Sequence, residues 1–200
     1  MAHRLDGSAL DTPAGTLGEL LDAARRRLGG ERLVVEVRCD GRVLDAEEIE
    51  VRMLRPLEAD EIQLQSARPA ELAVSALDGA LDRLAQLGEQ QREAAERLQA
   101  DEAGAAYSLL GDALAGWTEV SSAVSQSCEL TGVPLGSLTT GGGSGADVAA
   151  GLAASLREVR TQIEAQDTIG LADSLAYVWP DVVERWEALI GSLQERLGRA

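Results

Sequence analysis

The residues best able to do chemistry are few and far apart in this chain. Its 200 residues include one histidine, His3, and two cysteines, Cys39 and Cys128. A structural zinc site needs about four nitrogen or sulfur ligands held together, and a catalytic serine needs a histidine beside it. Because the sequence offers neither set at a suitable spacing, we predict no catalytic residue, no metal ligand and no cofactor-binding residue.

Carboxylates are the remaining candidates for chemistry. Glu47, Glu48 and Glu50 cluster before a predicted strand, and Asp101 and Glu102 begin a predicted helix. Paired acids can transfer protons or bind a divalent ion, but acids at a helix start also interact favourably with the helix dipole. We therefore favour a structural role for these residues. The alternative is an enzyme with a carboxylate-based site between two modules.

A glycine-rich run precedes another predicted helix. Residues 141–145 read Gly-Gly-Gly-Ser-Gly, and backbone amides at a helix start can bind phosphate. The run lacks the lysine that follows the glycines of a P-loop. The composition of residues 132–147 is typical of a flexible connection. We therefore predict a glycine-rich loop in which residues 138–146 are mobile, with phosphate binding as the alternative.

Three tryptophans fall on helical stripes of apolar residues. Trp117 belongs to one predicted helix, and Trp179 and Trp186 flank Pro180 near the end of the chain. Core packing is the interpretation that their spacing favours. The second interpretation is a cluster that faces a partner, because tryptophan is enriched at interface hot spots. In that case Trp179 and Trp186 are the candidate partner-binding residues.

A second candidate for partner binding is acidic. Glu89, Glu93 and Glu96 lie toward the end of a long predicted helix, where Gly88 and Gln91 replace the apolar residues of its stripe. A helix that loses apolar residues while gaining charge is expected to leave the core. The pattern predicts either a solvated helix end or an acidic docking arm for a basic partner.

The charge of the chain limits the kinds of partner it can have. The net charge is −16, from 18 basic and 34 acidic residues. Residues 1–68 carry −4 and residues 69–200 carry −12. Nucleic acid and anionic membrane surfaces would be repelled, so we expect a protein partner and no nucleic acid.

The cysteines and the apolar runs predict a compartment. Cys39 and Cys128 have no paired spacing, which favours thiols in a reducing environment. The first residues show no secretory signal, and no apolar run is long enough for a membrane span. We therefore expect a cytoplasmic protein with no membrane partner.

Residues 1–68 carry the patterns of several strands. Asp-Gly pairs at residues 6–7 and 40–41 are typical of hairpin turns. Residues 32–38 and 62–65 have the strand pattern. Residues 50–54 predict either a further strand or a short turn of helix.

One helix is predicted between these strands. Thr16 and Glu19 fit a capping box at its start, and Gly29-Gly30 would end it. The resulting order of strand, strand, helix, strand, strand, strand resembles the ubiquitin-like β-grasp fold, in which a mixed sheet wraps one helix. A protein modifier of that fold would need a terminal Gly-Gly, whereas this chain continues through Arg68-Pro69. The resemblance therefore implies a recognition platform.

The rear module, residues 69–200, reads as helical throughout. Pro69 suits a first helical position, and from Val74 onward apolar residues recur every three or four positions. The stripes predict an antiparallel bundle of three to four helices. Residues 166–168 predict a break in the last part of the chain, and Pro180 predicts a kink or restart.

Together these patterns predict an α+β chain with a β-grasp-like module at residues 1–68 and an acidic helical bundle at residues 69–200. The function that fits best is a non-catalytic protein-interaction module, such as an adaptor, assembly factor or chaperone-like binder. Besides the enzyme, the other alternative is an oligomer-forming structural protein. Its symmetric interface would lie on the helix that starts at Pro69 or on the last helix.

Overall fold

The structure is a computed structural model that describes residues 3–57, 61–141 and 143–198. The chain divides into two compact units, Met1–Leu72 and Ala73–Ala200. The helices and strands follow in the order β1 (His3–Leu5), β2 (Ser8–Ala9), α1 (Leu17–Leu28), β3 (Leu33–Cys39), β4 (Arg42–Val43), α2 (Ala46–Arg52), β5 (Ile62–Ala67), α3 (Pro69–Gln99), α4 (Ala103–Thr131), β6 (Thr139–Thr140), β7 (Gly143–Ser144), α5 (Gly145–Glu164), α6 (Thr168–Asp173) and α7 (Trp179–Gly198). The fold class is α+β, as the sequence predicts.

The first unit is a five-stranded mixed sheet in the order β2-β1-β5-β3-β4. β1 pairs with β5 in parallel, with Leu5 opposite Leu64, and the other pairs are antiparallel. One face of the sheet packs on α1, whose Leu17 and Leu20 are fully buried. Burying these aliphatic side chains stabilises the unit, which has no aromatic residue. The arrangement is β-grasp-like.

The start and end of α1 follow local signals. The Thr16 hydroxyl accepts a hydrogen bond from the Glu19 amide at 3.2 Å. The Glu19 carboxylate accepts from the Gly15 amide at 2.6 Å, one residue before the amide that a capping box uses. Gly29 has a φ of 66° and ends the helix, because a residue without Cβ adopts this left-handed conformation at little cost.

The segment expected as a strand or a short turn of helix at residues 50–54 belongs to a helix and its end. α2 starts after Asp45, whose carboxylate accepts from the Glu48 amide at 2.8 Å. The Glu48 carboxylate in turn accepts from the Asp45 amide at 3.1 Å. This reciprocal cap satisfies two amides that the first turn would leave unpaired, and so it favours helix over strand.

The second unit is a bundle whose long helices are α3, α4, α5 and α7. α3 begins at Pro69, the first helical position that the sequence predicts. A tight turn containing Asp101, with a φ of 62°, joins α3 to α4. None of the described helices is both long and apolar enough to cross a membrane.

The break predicted at residues 166–168 is the start of a new helix, whereas the chain stays helical where Pro180 predicts a kink or restart. Asp167 caps α6 by accepting from the Gly170 amide at 2.9 Å. α6 then continues through a π-helical segment, Ser174–Val178, directly into α7. In a π-helical segment each backbone amide donates to a carbonyl five residues earlier instead of four. This segment lies just before Pro180, whose nitrogen has no hydrogen to donate to a backbone hydrogen bond.

The described part of the glycine-rich loop has regular structure, while Gly142 lies outside the described residues, so the mobility expected of residues 138–146 stays a prediction. Strands β6 and β7 form a small hairpin, and Leu138 before it is buried. α5 begins at Gly145, where an added Cβ would lie 2.5 Å from the Leu135 carbonyl oxygen and 2.9 Å from Leu189 Cδ1. Glycine at this position allows close packing that composition alone does not reveal.

Candidate functional site

Trp117, Trp179 and Trp186 meet in the core of the second unit. The ring centroids of Trp117 and Trp179 are 5.6 Å apart, and those of Trp117 and Trp186 are 5.8 Å apart. All three side chains are buried, with at most 3% of any residue exposed. Core packing is therefore the role the structure supports, and neither Trp179 nor Trp186 presents its ring on the surface to a partner.

The acidic candidates lie on the outward face of α3. Glu89, Glu93 and Glu96 are exposed, while Leu87 and Gln91 on the same helix are buried. The expectation that α3 leaves the core here is wrong. The side chain of Gln91 packs where an apolar residue was expected, and Ala94 and Ala95 are buried on the same helix.

One arginine offsets part of this acidic charge. Arg97 donates to Glu93 at 3.1 Å and to Glu102 at 2.6 Å. These carboxylates, Glu102 foremost, raise the pKa of Arg97. The ion pairs join the end of α3 to the residue that precedes α4, and they leave Glu89 and Glu96 on the outward face.

Of the carboxylates considered for catalysis, Glu48 has a structural role. Glu48 caps α2 and also accepts two hydrogen bonds from Arg42, at 2.6 and 3.1 Å. Arg42 is the main reason that the pKa of Glu48 is lowered. A general acid at neutral pH needs the opposite shift. Among the described residues, no group of three or more His, Cys, Asp or Glu side chains is arranged to hold a metal ion.

The carboxylate of Asp147 lies at the start of α5, the place where the phosphate-binding alternative would put a phosphate. Asp147 accepts from the amide and the hydroxyl of Ser144, at 2.9 and 2.7 Å. These bonds lower the pKa of Asp147, so its carboxylate is charged at neutral pH. A negative charge at this helix start disfavours a phosphate there.

Both cysteines are buried. Burial raises the pKa of the Cys128 thiol, which disfavours the nucleophilic thiolate. Cys39 accepts from the Arg52 guanidinium at 3.3 Å. These contacts fit structural thiols.

A surface that the sequence analysis did not single out lies on α4. Six positions spaced by four and three residues form a second stripe beside the buried one. We call this the outer α4 stripe, and it consists of Tyr107, Gly111, Leu114, Thr118, Ser121 and Ser125. Its apolar side chains are exposed, with Tyr107 at 38% and Leu114 at 39%.

The outer α4 stripe contains no charged residue. Over its 29 residues, α4 has three charged side chains, whereas the 31 residues of α3 have nine. Asp112 and Glu119 of α4 lie on the side that faces α3: Arg83 of α3 donates to the Glu119 carboxylate at 3.0 Å and to the Asp112 carbonyl at 3.2 Å. In a chain of net charge −16, this uncharged face contrasts with the charged and polar face that a surface helix usually turns to solvent.

An apolar groove runs between the outer α4 stripe and α5. It encloses about 550 Å³. Its lining consists mainly of apolar side chains from both helices: Leu114, Trp117, Leu152, Leu156, Val159 and Ile163. The hydroxyls of Thr118 and Ser121 donate to carbonyls of α4 itself, at 3.1 and 2.7 Å. The groove therefore offers mainly an apolar surface to an occupant.

The charged residues of this groove lie at its rim on α5. Arg160 donates to Glu164 at 2.7 Å, and both side chains are mostly exposed. The α4–α5 face, defined as the outer α4 stripe, the groove and this rim pair, thus combines apolar residues with one positive and one negative charge.

The α4–α5 face had a signal in the sequence. The spacing of four and three residues from position 107 to position 125 is the period of a helix-packing seam. Its glycine, serine and threonine residues hid that period, because these residues do not count as apolar. The absence of charge along the stripe was the more informative signal.

The fold and this surface define the class of protein: an α+β chain with a β-grasp-like unit and a helical bundle that presents an uncharged helix face. In comparisons with known proteins, no protein-family model, curated protein or solved structure matched the chain.

Proposed function

We propose that the protein is a non-catalytic protein-interaction module and that its α4–α5 face is the binding surface. The observation that carries this proposal is the uncharged outer α4 stripe. Covering its exposed Tyr107 and Leu114 with another surface removes their apolar atoms from water, which lowers the free energy of the complex. With no charged group on the stripe, that burial carries no cost of desolvating an unpaired charge.

The length of the stripe favours a protein over a small ligand. From Tyr107 to Ser125 the stripe extends about 27 Å at a rise of about 1.5 Å per residue. The groove beside it involves only the middle of this length, from Leu114 to Ser121. A small molecule could fill the groove, but covering the whole stripe takes a helix or a larger protein surface.

The proposal is tested by affinity capture from native cells with three baits: the wild-type chain, Leu114→Glu and Leu130→Glu. Leu130 is a matched control, because it lies on α4 with 40% of its surface exposed but does not line the groove. We expect the wild type and Leu130→Glu to capture the same protein, and Leu114→Glu to lose it. Equal capture by all three baits would place the binding surface elsewhere.

A second candidate surface is the acidic end of α3, for a basic partner. It is favoured by the outward direction of Glu89, Glu93 and Glu96 on a helix that stays packed. Their replacement by glutamine should slow association with a captured basic partner without unfolding the bundle, and added salt should have the same effect. Unchanged association rates would mean that these acids only solvate the helix.

The enzyme alternative gains no support from its named residues. Glu48 is used in a helix cap, and Asp101 forms the turn before α4. We also propose a cytoplasmic location, because Cys39 and Cys128 are buried in separate units and neither needs an oxidising compartment.

A further inference from the structure

The α4–α5 face has properties that suit contact with an identical face. Two chains of net charge −16 repel each other over most of their surfaces. The outer α4 stripe is a long surface on which two copies can approach without placing like charges in contact. A basic partner would gain little from the same stripe, because the stripe offers it no carboxylate.

The rim of the face is self-complementary. Arg160 and Glu164 lie one turn apart on α5, and both are exposed. In a two-fold interface the same patch is used by both copies. Arg160 of one copy can therefore pair with Glu164 of the other, and the reverse pair forms at the same time.

The size of the face fits a modest dimer. The stripe is about 27 Å long, and two neighbouring helices, each about 10 Å wide, give the face a width of at most about 20 Å. The face therefore covers at most roughly 500 Å² on each copy, or roughly 1,000 Å² in total, which is the lower bound for a specific interface and predicts a weak dimer.

We propose that the occupant of the α4–α5 face is a second copy of this chain, related by a two-fold axis. The outer α4 stripe of each copy, with Tyr107 and Leu114, lies against the same stripe of the other, and α5 lies antiparallel to α5, as the reciprocal Arg160–Glu164 pairs require. This inference rests on the proposed function, since it names the partner of the same surface. It moves the interface of the oligomer away from α3 and α7, the helices on which the sequence placed it.

The test is sedimentation equilibrium of the full chain at about 1 to 100 μM, a range that covers the affinity expected of an interface this small. We expect the wild type to approach twice the chain mass of 21.0 kDa. Raising the salt concentration should strengthen the dimer, because it screens the repulsion between two acidic chains. A wild type that stays monomeric over this range overturns the inference.

Two substitutions on α4 test whether the dimer forms through the α4–α5 face. Leu114→Glu should raise the dissociation constant at least about tenfold, because it places a charge in the interface. Leu130→Glu, the matched control, should leave it unchanged. Circular dichroism melting of both variants checks that the bundle is folded. A dimer that Leu114→Glu leaves intact, or that both variants weaken equally, overturns the inference.

A charge exchange on the rim provides a test that does not touch the apolar residues. Arg160→Glu should weaken the dimer, because it faces Glu164 of the second copy with a like charge. The double variant Arg160→Glu with Glu164→Arg should restore it. A double variant no tighter than the single one contradicts the two-fold pairing.

The outcomes separate this inference from the proposed function. If the wild type is monomeric and a different captured protein requires Leu114, the surface is a binding site but its occupant is not a second copy. If the wild type is monomeric and capture does not depend on Leu114, both proposals fail.

Discussion

The ring of Trp117 on α4 meets the ring of Trp186 on α7 edge to face, with ring centroids 5.8 Å apart and an interplanar angle of 71°. Trp179 also packs against Trp117, with ring centroids 5.6 Å apart. Aromatic pairs of this geometry stabilise a fold beyond the effect of their buried area. The contact joins helices that are far apart in sequence, and it makes Trp117 a central residue of the bundle.

Replacing Trp117 with alanine should therefore lower the free energy of unfolding by about 3–5 kcal/mol, the range for a large buried aromatic. Urea unfolding followed by circular dichroism measures this change. Tyr177→Ala is the control, because Tyr177 is 75% exposed and its loss should change little. Similar losses in both variants would contradict the assignment of Trp117 to the core.

The packing of Gly145 predicts a second effect on stability. Gly145→Ala should cost about 1–3 kcal/mol, as overpacking of a tight contact does, because its Cβ would meet the Leu135 carbonyl. Gly151→Ala, on the same helix with open space around its Cβ position, should stabilise by roughly 0.5–1 kcal/mol through helix propensity. Thermal melting of the two variants should shift in opposite directions. If Gly145→Ala is neutral, the start of α5 is as mobile as its composition suggests.

A pH dependence is expected from Asp6 in the first unit. Its carboxylate accepts from the amide and the hydroxyl of Ser66, at 2.7 and 2.6 Å. The Ser66 hydroxyl bond is the largest cause that holds the pKa of Asp6 below its ordinary value of 3.8. A lowered pKa in the folded state stabilises the fold above the unfolded-state pKa, and this contribution is lost as the pH falls through the folded-state value.

The measurement is urea unfolding of the wild type and Asp6→Asn from neutral pH to below pH 3.8. Asparagine suits this position because Asp6 has a φ of 50°, a conformation that asparagine tolerates. We expect the wild type to be more stable at neutral pH and the difference to shrink in acid. A difference that does not vary with pH would assign the effect of Asp6 to geometry alone.

The division of the chain predicts that residues 1–68 fold by themselves. The buried apolar cluster of the first unit lies entirely between Leu5 and Leu64, so the fragment contains its whole core. A purified fragment should show a cooperative thermal transition with retained strand signal in circular dichroism. A fragment that is unfolded at all temperatures would contradict the prediction of two modules.

Much of the fold could be predicted from short stretches of sequence. Thr16, Gly29 and Pro69 mark helix ends through bonds and dihedral angles within a single turn, and the Asp-Gly pairs mark hairpins in the same way. Energies of this kind depend on near neighbours in the chain, so composition and spacing are enough to recognise them.

Which helix faces are buried and which could face a partner could not be predicted with the same success. The sequence left two interpretations for Trp179 and Trp186, core packing and partner binding, because a helical stripe shows which residues share a face but not what covers that face. Gln91 was expected to mark a helix leaving the core and is instead buried. In both cases burial depends on a second helix, which the local pattern does not contain.

What the sequence determined by itself is most of the helices and strands, several of their ends and the net charge of −16. The tertiary structure alone decided that the outer α4 stripe, through Leu114, stays on the surface. The stripe through Trp117 packs against α7, and the stripe through Leu114 is left on the surface beside α5. The physical reason is that burial of a helix face requires a neighbouring surface of matching shape, which α7 supplies for the stripe through Trp117, whereas Leu114 stays 39% exposed.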